Sequence, residues 1–571
     1  MLSKKDQKIL KLKFDEIYPS SKSKNNLYVY EIINLINKFN KNKSLKKSIK
    51  ISEKTTFLIS YGNSITDGNT KSLKAFKKFY RKYLKRSFDT VHFLPFYPSS
   101  SDSGFAVKDH YKIDPRLGNW SDINQISKDC NIMADLVINH SSSRGLWFSN
   151  FLKNKSPGKD YFFTIDKKFN SSNVIRPREH KLLKKIRLHN EDKYLWRTFS
   201  QDQIDLNFNN PKVIMRFIKI ILNLMKHGVN IFRLDAIAYL WKESGTKCIN
   251  HKNTHRIIKL IRLICDLIYS DCFLITETNL PEKENLSYFG RNDEANFIYN
   301  FSLPPLLVYS LLFEDSSKIT SWSKQFPKSN KNTNYLNFVA SHDGIGMRPI
   351  EGILEQKKQI KLFKRLKKNG GEFSYRKIQG KGKKVYEANI TLFNAFKISD
   401  YDKKGKYGLE RYMAAHNIMI SFEGVPAIYF NSIFGNSNDN SKFIISGNKR
   451  DLNRYRWNKD KLENHLKDRN SKQCLYYKNI VNILKIRKKQ KAFNPNASMI
   501  TLNLGKNIFG IRRTSVDKKQ TITCLTNVTS KRQYLKLEKK LINCKNLLDK
   551  KPIILNKTLE LQPFQSVWIS N

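Results

Sequence analysis

The stretch GVNIFRLDA, residues 228–236, ends an apolar run with two charged residues, Arg233 and Asp235. A continuous apolar run of this length is typical of a strand that is buried on both faces. Side chains alternate along a strand, so Arg233 and Asp235 are expected to point to the same side. A buried ion pair loses hydration energy and is weak evidence for stability. Either the pair is structural, or the aspartate is kept ionised for chemistry.

Seven other short apolar runs resemble this one, and helical patterns follow most of the eight. Apolar residues recur at helical spacing in KSLKAFKKFYRKYLKR (71–86) and in THRIIKLIRLICDLI (254–268). Strands that alternate with helices predict an α/β fold, a parallel (β/α)8 barrel with a ring of helices. The eight runs are TTFLISYG (55–62), DTVHFLPF (89–96), NIMADLVIN (131–139), GVNIFRLDA (228–236), CFLITET (272–278), ANFIYNF (295–301), YLNFVASHD (335–343) and VPAIYF (425–430).

Two connections, 141–205 and 344–408, are too long for a plain link between a strand and a helix. Both leave from the carboxyl end of a strand, where we expect the active face. After about residue 491 the chain changes to short alternating runs divided by turn residues, which predicts a small antiparallel β domain. The predicted units are an N-terminal Lys-rich helical segment (1–50), the barrel (51–140, 206–343 and 409–490), an inserted domain (141–205), a second insertion (344–408) and the C-terminal β domain (491–571).

The formal net charge of +56 raises the question of nucleic-acid binding. Lysine is spread over nearly every segment and no zinc-finger or RNA-binding motif accompanies it, so we interpret the charge as solvated surface. No run of about 18 apolar residues predicts a membrane span, and residues 1–20 lack the apolar core of a secretory signal. The seven cysteines are scattered without metal-ligand spacing, which is typical of a reducing compartment. We therefore expect a cytoplasmic protein that does not bind membranes.

Three carboxylates are expected to converge where barrel strands end: Asp235, Glu277 and Asp343. Crowded carboxylates repel, so at least one should have a raised pKa and act as an acid, while Arg233 would hold Asp235 as a carboxylate. One nucleophile and one acid/base, about 5–5.5 Å apart, are what a retaining glycosidic reaction needs. A metal site is the weaker alternative, because no HxH or HExxH occurs and Arg233 would repel a cation. Asp135, at the end of the third strand, is interpreted as structural.

The residues at these strand ends carry a resemblance to a known family. DLVINH, FRLDAIAY, LITETN and VASHD resemble the four conserved regions of glycoside hydrolase family 13, the α-amylase family. LPFYPSSSDSGFAVKDHYKIDPRLGNW, SHDGIGMRPIEGI and RDLNRYRW are similar to its sucrose phosphorylase subfamily. The resemblance covers about residues 50–490, and it implies the barrel, both insertions and the C-terminal β domain.

The resemblance also implies roles for individual residues. Asp235 matches the nucleophile that forms a β-glucosyl–enzyme, Glu277 the acid/base, and Asp343 the carboxylate that supports the transition state. Arg233 matches the family's arginine beside the nucleophile. The residues that match the pocket for one terminal glucose are Asp102, Phe105, His140, Phe199, Gln203, Tyr239, His342 and Arg454, of which Asp102 and Arg454 would close its end.

The acceptor side is expected to decide between water and phosphate. Arg178, in IRPREH, and Tyr375, in GGEFSYRK, match the acceptor side and are expected to hold phosphate. The motifs resemble glucosylglycerate or glucosylglycerol phosphorylases more than sucrose phosphorylases, and the cations favour a carboxylated acceptor such as glycerate. An α-glucoside hydrolase, a non-catalytic carbohydrate-binding protein and a nucleic-acid-binding protein stay open as alternatives. We expect an α-glucoside and inorganic phosphate as substrates and no cofactor, and leave a homodimer open.

Overall fold

The computed structural model describes residues 2–41, 49–188, 190–269, 271–330, 333–378, 382–536, 544–549 and 558–570. At its centre, eight parallel strands close into a barrel in the order β1–β8–β7–β6–β5–β4–β3–β2. Each strand lies within one of the eight apolar runs or overlaps it, so the predicted barrel is confirmed. The strands are β1 (Phe57–Ser60), β2 (Thr90–Phe93), β3 (Asn131–Val137), β4 (Val229–Asp235), β5 (Phe273–Thr276), β6 (Phe297–Tyr299), β7 (Asn334–Asn337) and β8 (Val425–Tyr429).

Amphipathic helices cover the outside of the barrel. The helix Pro211–Lys226, which leads into β4, begins with Asn210 as its cap and proline at its first position, an arrangement that suits a helix start. Its buried face is entirely apolar, from Val213 to Leu224. The α-helices between β1 and the C-terminal sheet are Ser72–Phe79, Trp120–Ile126, Leu146–Leu152, Pro211–Lys226, Lys252–Ile268, Glu282–Leu286, Leu303–Phe313, Ser317–Lys324, Gln356–Lys368, Leu392–Phe396, Gly408–Ser421, Phe430–Ile433, Asn440–Ser446, Lys459–Lys467 and Lys472–Arg487.

Two helices precede the barrel, Lys4–Ile17 and Lys22–Lys41. Ser3 caps the first helix by accepting a hydrogen bond from the Asp6 amide. This helix packs against the second one and against the barrel helix Lys252–Ile268. The predicted helical character of residues 1–50 is therefore seen over most of the segment, whereas positions 42–48 lie outside the described residues.

The two long connections fold into small sheets above the carboxyl ends of the barrel strands. In the first, a three-stranded sheet and a strand pair are formed by His140–Ser142, Thr164–Ile165, Leu183–Leu188, Glu191–Trp196 and Gln203–Asp205. In the second, the hairpin Glu372–Ile378 and Gly382–Asn389 is joined by the short strand Ile345–Gly346. The register of the hairpin shifts between Ser374 and Tyr375, which marks a β-bulge.

The C-terminal segment forms the predicted antiparallel sheet. Its strands pair in the order Ser498–Thr501, Ile508–Thr514, Thr521–Asn527, Ser566–Ser570 and Lys545–Asn546, and Gln533–Lys536 pairs with Thr558–Leu561. Two buried arginines attach this sheet to the barrel. Arg513 donates to the Ser421 carbonyl at 3.0 Å, and Arg487 donates to the Phe493 carbonyl at 3.0 Å.

Two further expectations concern the state of the cysteines and the absence of a membrane-spanning helix. Six of the seven cysteines are buried, Cys130 is half-buried, and none is joined in a disulfide within the described part of the chain. Across the same residues, no helix combines the length and the apolar character that a membrane crossing requires.

Candidate active site

The three predicted carboxylates lie together at the carboxyl ends of the barrel strands. Asp235 is the last residue of β4, and Glu277 follows the last residue of β5. The two strands are in register, because Leu234 pairs with Thr276 and the Glu277 amide donates to the Leu234 carbonyl at 3.2 Å. Glu277 Oε2 also accepts a hydrogen bond from the Ala236 amide at 3.2 Å. Ala236 has a φ of 51°, a left-handed turn that directs the chain away immediately after the nucleophile candidate.

Arg233 connects these carboxylates. Its Nη1 lies 2.7 Å from Asp235 Oδ1, and its Nη2 lies 3.9 Å from Glu277 Oε2. Nη1 also contacts Asp135 on β3, whose Cα pairs with that of Arg233 in the sheet. Asp135 accepts a second contact from His92 at 2.8 Å and is completely buried. Asp135 thus has the structural position that the sequence suggested, as the inner anchor of the arginine.

Burial dominates the ionisation of the catalytic pair. Burial raises the pKa of Asp235, a shift that Arg233 opposes and that Glu277 and Asp135 reinforce. Burial also raises the pKa of Glu277, again against Arg233. Arg233 opposes the rise in the pKa of Asp235, as expected, but it also contacts Asp135, which the sequence did not indicate. Two coupled carboxyls titrate as a pair, and the shorter contact to Arg233 favours the negative charge on Asp235 and the proton on Glu277.

Asp343 has the opposite electrostatic environment. Although burial acts to raise the pKa of Asp343, Arg450, His342 and Arg454 outweigh it and hold that pKa far below its usual range. Arg450 Nη1 lies 2.8 Å and Arg454 Nη2 lies 3.3 Å from Asp343 Oδ1. Asp343 is the carboxylate that stays ionised, as an accepting group for sugar hydroxyls requires.

The predicted end of the glucose pocket is formed by Arg454 and Asp102. Arg454 Nη1 lies 3.3 Å from Asp102 Oδ1, and Arg454 Nε donates to the His342 carbonyl at 3.1 Å. Asp102 and Ser103 both have positive φ values, 51° and 50°, so the loop is held in an unusual backbone conformation at this wall. Arg454 thus lies in contact with Asp102, His342 and Asp343.

Aromatic rings line the space between the wall and the carboxylates. Phe105 stacks on His342 with centroids 5.3 Å apart and planes 7° apart, and the Phe105 carbonyl accepts from His140 Nε2 at 3.1 Å. Phe199 contacts the rings of His140 and Tyr239, each at 5.4 Å. Gln203, the remaining predicted pocket residue, pairs with Ser142 in the two-stranded sheet of the first insertion. The structure therefore brings all eight predicted pocket residues to one region.

Arg178 and Tyr375 are the residues predicted for the acceptor side. Of these two, Arg178 lies beside the ring of Phe199. The Arg178 guanidinium lies 5.6 Å from the Phe199 ring and 5.0 Å from the Tyr386 ring. Tyr375 instead lies 5.8 Å from Lys449 Nζ. Tyr375 and Tyr386 lie on neighbouring strands of the same hairpin, and the Tyr386 ring is the one beside Arg178.

Several residues of the site had no role in the sequence interpretation. Arg450 bridges Asp343 and Glu387, whose Oε2 lies 2.9 Å from Nη2. Arg450 begins the quoted motif RDLNRYRW, so this motif was a signal that could have been used. A buried Lys242 contacts Asp205 at 2.8 Å beneath the pocket. Glu277, Asn279, Tyr386, Glu387 and Arg450 line one common cavity.

Comparison with known proteins identifies the family. The sequence model of the protein family described as the alpha amylase catalytic domain matches residues 80–365 of this chain. The glucosylglycerate phosphorylase of Allomeiothermus silvanus is 37% identical over 520 residues, which cover 91% of each chain. The chain belongs to the α-amylase family, glycoside hydrolase family 13. Within this family, the glucosylglycerate phosphorylase of Escherichia coli is 33% identical over 519 residues, 90% of this chain and 92% of the relative.

A solved structure shows the same fold for this α-amylase-family chain. The sucrose 6F-phosphate phosphorylase from Thermoanaerobacter thermosaccharolyticum superposes with a TM-score of 0.71. It is 23% identical, and the match covers 86% of this chain and 94% of that one. At this identity the likeness establishes the architecture, namely the barrel with its inserted segments, and leaves the chemistry to the residues of the site.

Proposed function

We propose that this α-amylase-family enzyme is a glucosylglycerate phosphorylase that acts in the cytoplasm. It would transfer glucose from the α-glucoside to inorganic phosphate and release α-glucose 1-phosphate and glycerate. The observation that carries the proposal is the shared Arg233, which contacts Asp235 at 2.7 Å and Glu277 at 3.9 Å and so supplies a nucleophile and an acid/base in one buried site. The glucosylglycerate phosphorylases of Allomeiothermus silvanus and Escherichia coli, among other relatives, support the choice of substrate.

The first step breaks the glucosidic bond. Asp235 attacks C1 of glucose while the glucosidic oxygen takes the proton of Glu277, so that the C1–O bond breaks, an enzyme–glucose ester forms and glycerate leaves. Oδ1 of Asp235 accepts from Arg233, and its Oδ2 accepts no hydrogen bond from the described residues, which makes Oδ2 the attacking atom. Asp343 would bind sugar hydroxyls and stabilise the positive charge that develops on the ring.

The second step transfers glucose to phosphate. A phosphate oxygen attacks C1 from the opposite face, the ester bond to Asp235 breaks, and two inversions leave the α configuration unchanged. The phosphate is already anionic, so it needs less help from Glu277 as a base than water does. Arg178, held between the Phe199 and Tyr386 rings, is the proposed cation for the phosphate. The inserted segments 141–205 and 344–408 thus supply the acceptor side, and the barrel supplies the carboxylates.

The acceptor is proposed to be glycerate, because the acceptor side is cationic. A neutral acceptor, such as glycerol or fructose, gains nothing from a positive potential, whereas a carboxylate is attracted to it. Glucosylglycerol phosphorylase and sucrose phosphorylase are the alternatives within the same chemistry. Phosphorolysis is the expected direction where phosphate is abundant.

Release of glucose 1-phosphate tests the proposal. Purified enzyme is offered glucosylglycerate, glucosylglycerol and sucrose, each with and without phosphate, beside an Asp235→Asn variant. We expect phosphate-dependent release from glucosylglycerate that the variant lacks. Free glucose at the same rate with or without phosphate would make the enzyme a hydrolase and would contradict the role of Arg178.

A further inference from the structure

Arg348 lies in the motif SHDGIGMRPIEGI, between the catalytic acid/base and the acceptor-side hairpin. The adjacent Met347 amide donates to the Tyr386 carbonyl at 3.0 Å. Gly346, two residues before Arg348, lies so close to Asn279 that a Cβ added to the glycine would be 2.7 Å from the Asn279 Oδ1. The backbone of this segment is therefore fixed on one side by the loop that follows Glu277 and on the other by the strand of Tyr386.

The Arg348 side chain is buried and forms no ion pair with the described residues. The residue is 5% exposed, and its Nε is buried with no hydrogen-bond acceptor. No carboxylate or carbonyl of the described residues accepts a hydrogen bond from its side chain. Its neighbour Arg376 differs, because that guanidinium donates to both oxygens of Glu351 at 2.8 Å. A buried charge ordinarily has a partner, so an anion bound at Arg348 would supply the one that the described residues do not.

The groups around Arg348 belong to the acceptor side. The positive charges of Arg348 and Arg178 both act to lower the pKa of Tyr239 and of Tyr386, although burial raises each of them overall. Arg178 itself lies 5.0 Å from the Tyr386 ring. Asn279 adds a buried amide oxygen without a partner. Asn279 and Tyr386 line one cavity with Glu277, and both arginines act on the Tyr386 ring that borders it.

We propose that Arg348 binds the carboxylate of the acceptor and so determines its specificity. This inference rests on the proposed function and adds a residue to it. A planar guanidinium presents two parallel N–H groups that match a carboxylate, and burial strengthens the interaction. Arg178, which stacks on two rings, remains the cation for phosphate. An acceptor without a negative charge leaves Arg348 unpaired, which makes glycerol a poorer acceptor than glycerate.

The test measures synthesis from glucose 1-phosphate with glycerate or glycerol as acceptor. The variant is Arg348→Met, and the matched control is Arg376→Met, which removes a nearby arginine that already has a partner. We expect the KM for glycerate to rise about 10- to 100-fold in Arg348→Met, the loss that fits one charge-assisted interaction. The kinetics with glycerol should stay within about twofold, and the control should keep its preference for glycerate.

Two further measurements separate specificity from folding. Hydrolysis of α-glucosyl fluoride, which needs no acceptor carboxylate, checks that each variant retains its catalytic centre. Arg348→Lys should recover part of the affinity for glycerate, because lysine restores the positive charge but lacks the two parallel N–H groups of the guanidinium. Equal losses with glycerate and glycerol, or a raised KM for phosphate with glycerate unchanged, would overturn the proposal. A wild-type enzyme that transfers glucose to glycerol but not to glycerate would refute the proposed function itself.

Discussion

The Nη1 atom of Arg233 lies 2.7 Å from Oδ1 of Asp235 and at the same time contacts Asp135. Because one nitrogen serves two carboxylates, the arginine orients Asp235 without fully compensating its charge. Burial and the neighbouring Glu277 then raise the pKa of Asp235, and the pair Asp235 and Glu277 holds a proton between them. This arrangement supplies a nucleophile and an acid from two residues that are chemically almost alike.

The first prediction concerns pH. Cleavage of the glucoside needs Asp235 ionised, so kcat/KM rises as pH rises through the pKa of that group. It also needs Glu277 protonated, so kcat/KM falls again at higher pH, and both limbs lie at higher pH than for free carboxyls because both pKa values are raised. The wild-type enzyme should show the alkaline limb with glucosylglycerate but not with α-glucosyl fluoride, whose departure needs no acid, and Glu277→Gln should show only the acid limb with either substrate. An unchanged alkaline limb would show that Glu277 is not the acid.

The second prediction concerns Arg450, which contacts Asp343 at 2.8 Å and Glu387 at 2.9 Å. Arg450→Met should raise the pKa of Asp343 and leave that carboxylate and the buried Glu387 without their common partner. We expect kcat/KM for the glucoside to fall about 100-fold, the scale of a misplaced catalytic group. Arg469→Met, at an exposed position, is the control and should match the wild-type enzyme. Full activity of Arg450→Met would mean that Arg454 alone suffices for Asp343.

The third prediction concerns Arg178. Arg178→Ala removes the cation between the Phe199 and Tyr386 rings, so the KM for phosphate should rise about 10- to 100-fold. Hydrolysis of α-glucosyl fluoride in the absence of phosphate should change little. Arg187→Ala, an exposed position in the same inserted segment, serves as the control. Unaltered phosphate kinetics in Arg178→Ala would assign the phosphate to another group.

The fourth prediction concerns stability. Lys242 is 2% exposed and lies 2.8 Å from the completely buried Asp205, and it also donates to Asn139 at 3.1 Å. Lys242→Met should lower the free energy of unfolding by about 3–5 kcal/mol, because it leaves an uncompensated buried charge. Lys212→Met removes the exposed Lys212–Asp160 pair and should cost less than about 1 kcal/mol. Denaturant unfolding measures the free energy of unfolding of both variants. Equal losses would show that the buried Lys242–Asp205 pair stabilises the fold no more than the exposed pair does.

The barrel could be predicted because its strands are buried on both faces and therefore form continuous apolar runs. The carboxylates could be placed because the strand ends fix the positions of Asp235 and Glu277. The partner of Arg178 could not be placed, since the bulge between Ser374 and Tyr375 changes the register of the hairpin, and a single sequence does not reveal a bulge. The shared role of Arg233 depends on its register with Asp135, which only the closed sheet defines.

Arg450 and Arg348 show a second limit of sequence reasoning. Both lie in short 3₁₀ turns, Lys449–Asn453 and Arg348–Ile350, which have no long apolar period to indicate a buried side. An arginine in such a turn is ordinarily exposed. Arg348 is buried and Arg450 half-buried because of contacts with the strand of Tyr386 and with Asp343, which join distant parts of the chain.

The most direct test of the account is the mass of the Glu277→Gln variant after reaction with α-glucosyl fluoride. Fluoride leaves without an acid, and removal of glucose by water is slow without the base, so one glucosyl group should accumulate on the peptide that contains Asp235. Added phosphate should then discharge it as glucose 1-phosphate, and Asp235→Asn should form no adduct. An adduct on another residue, or one that water removes as fast as phosphate does, would contradict the account.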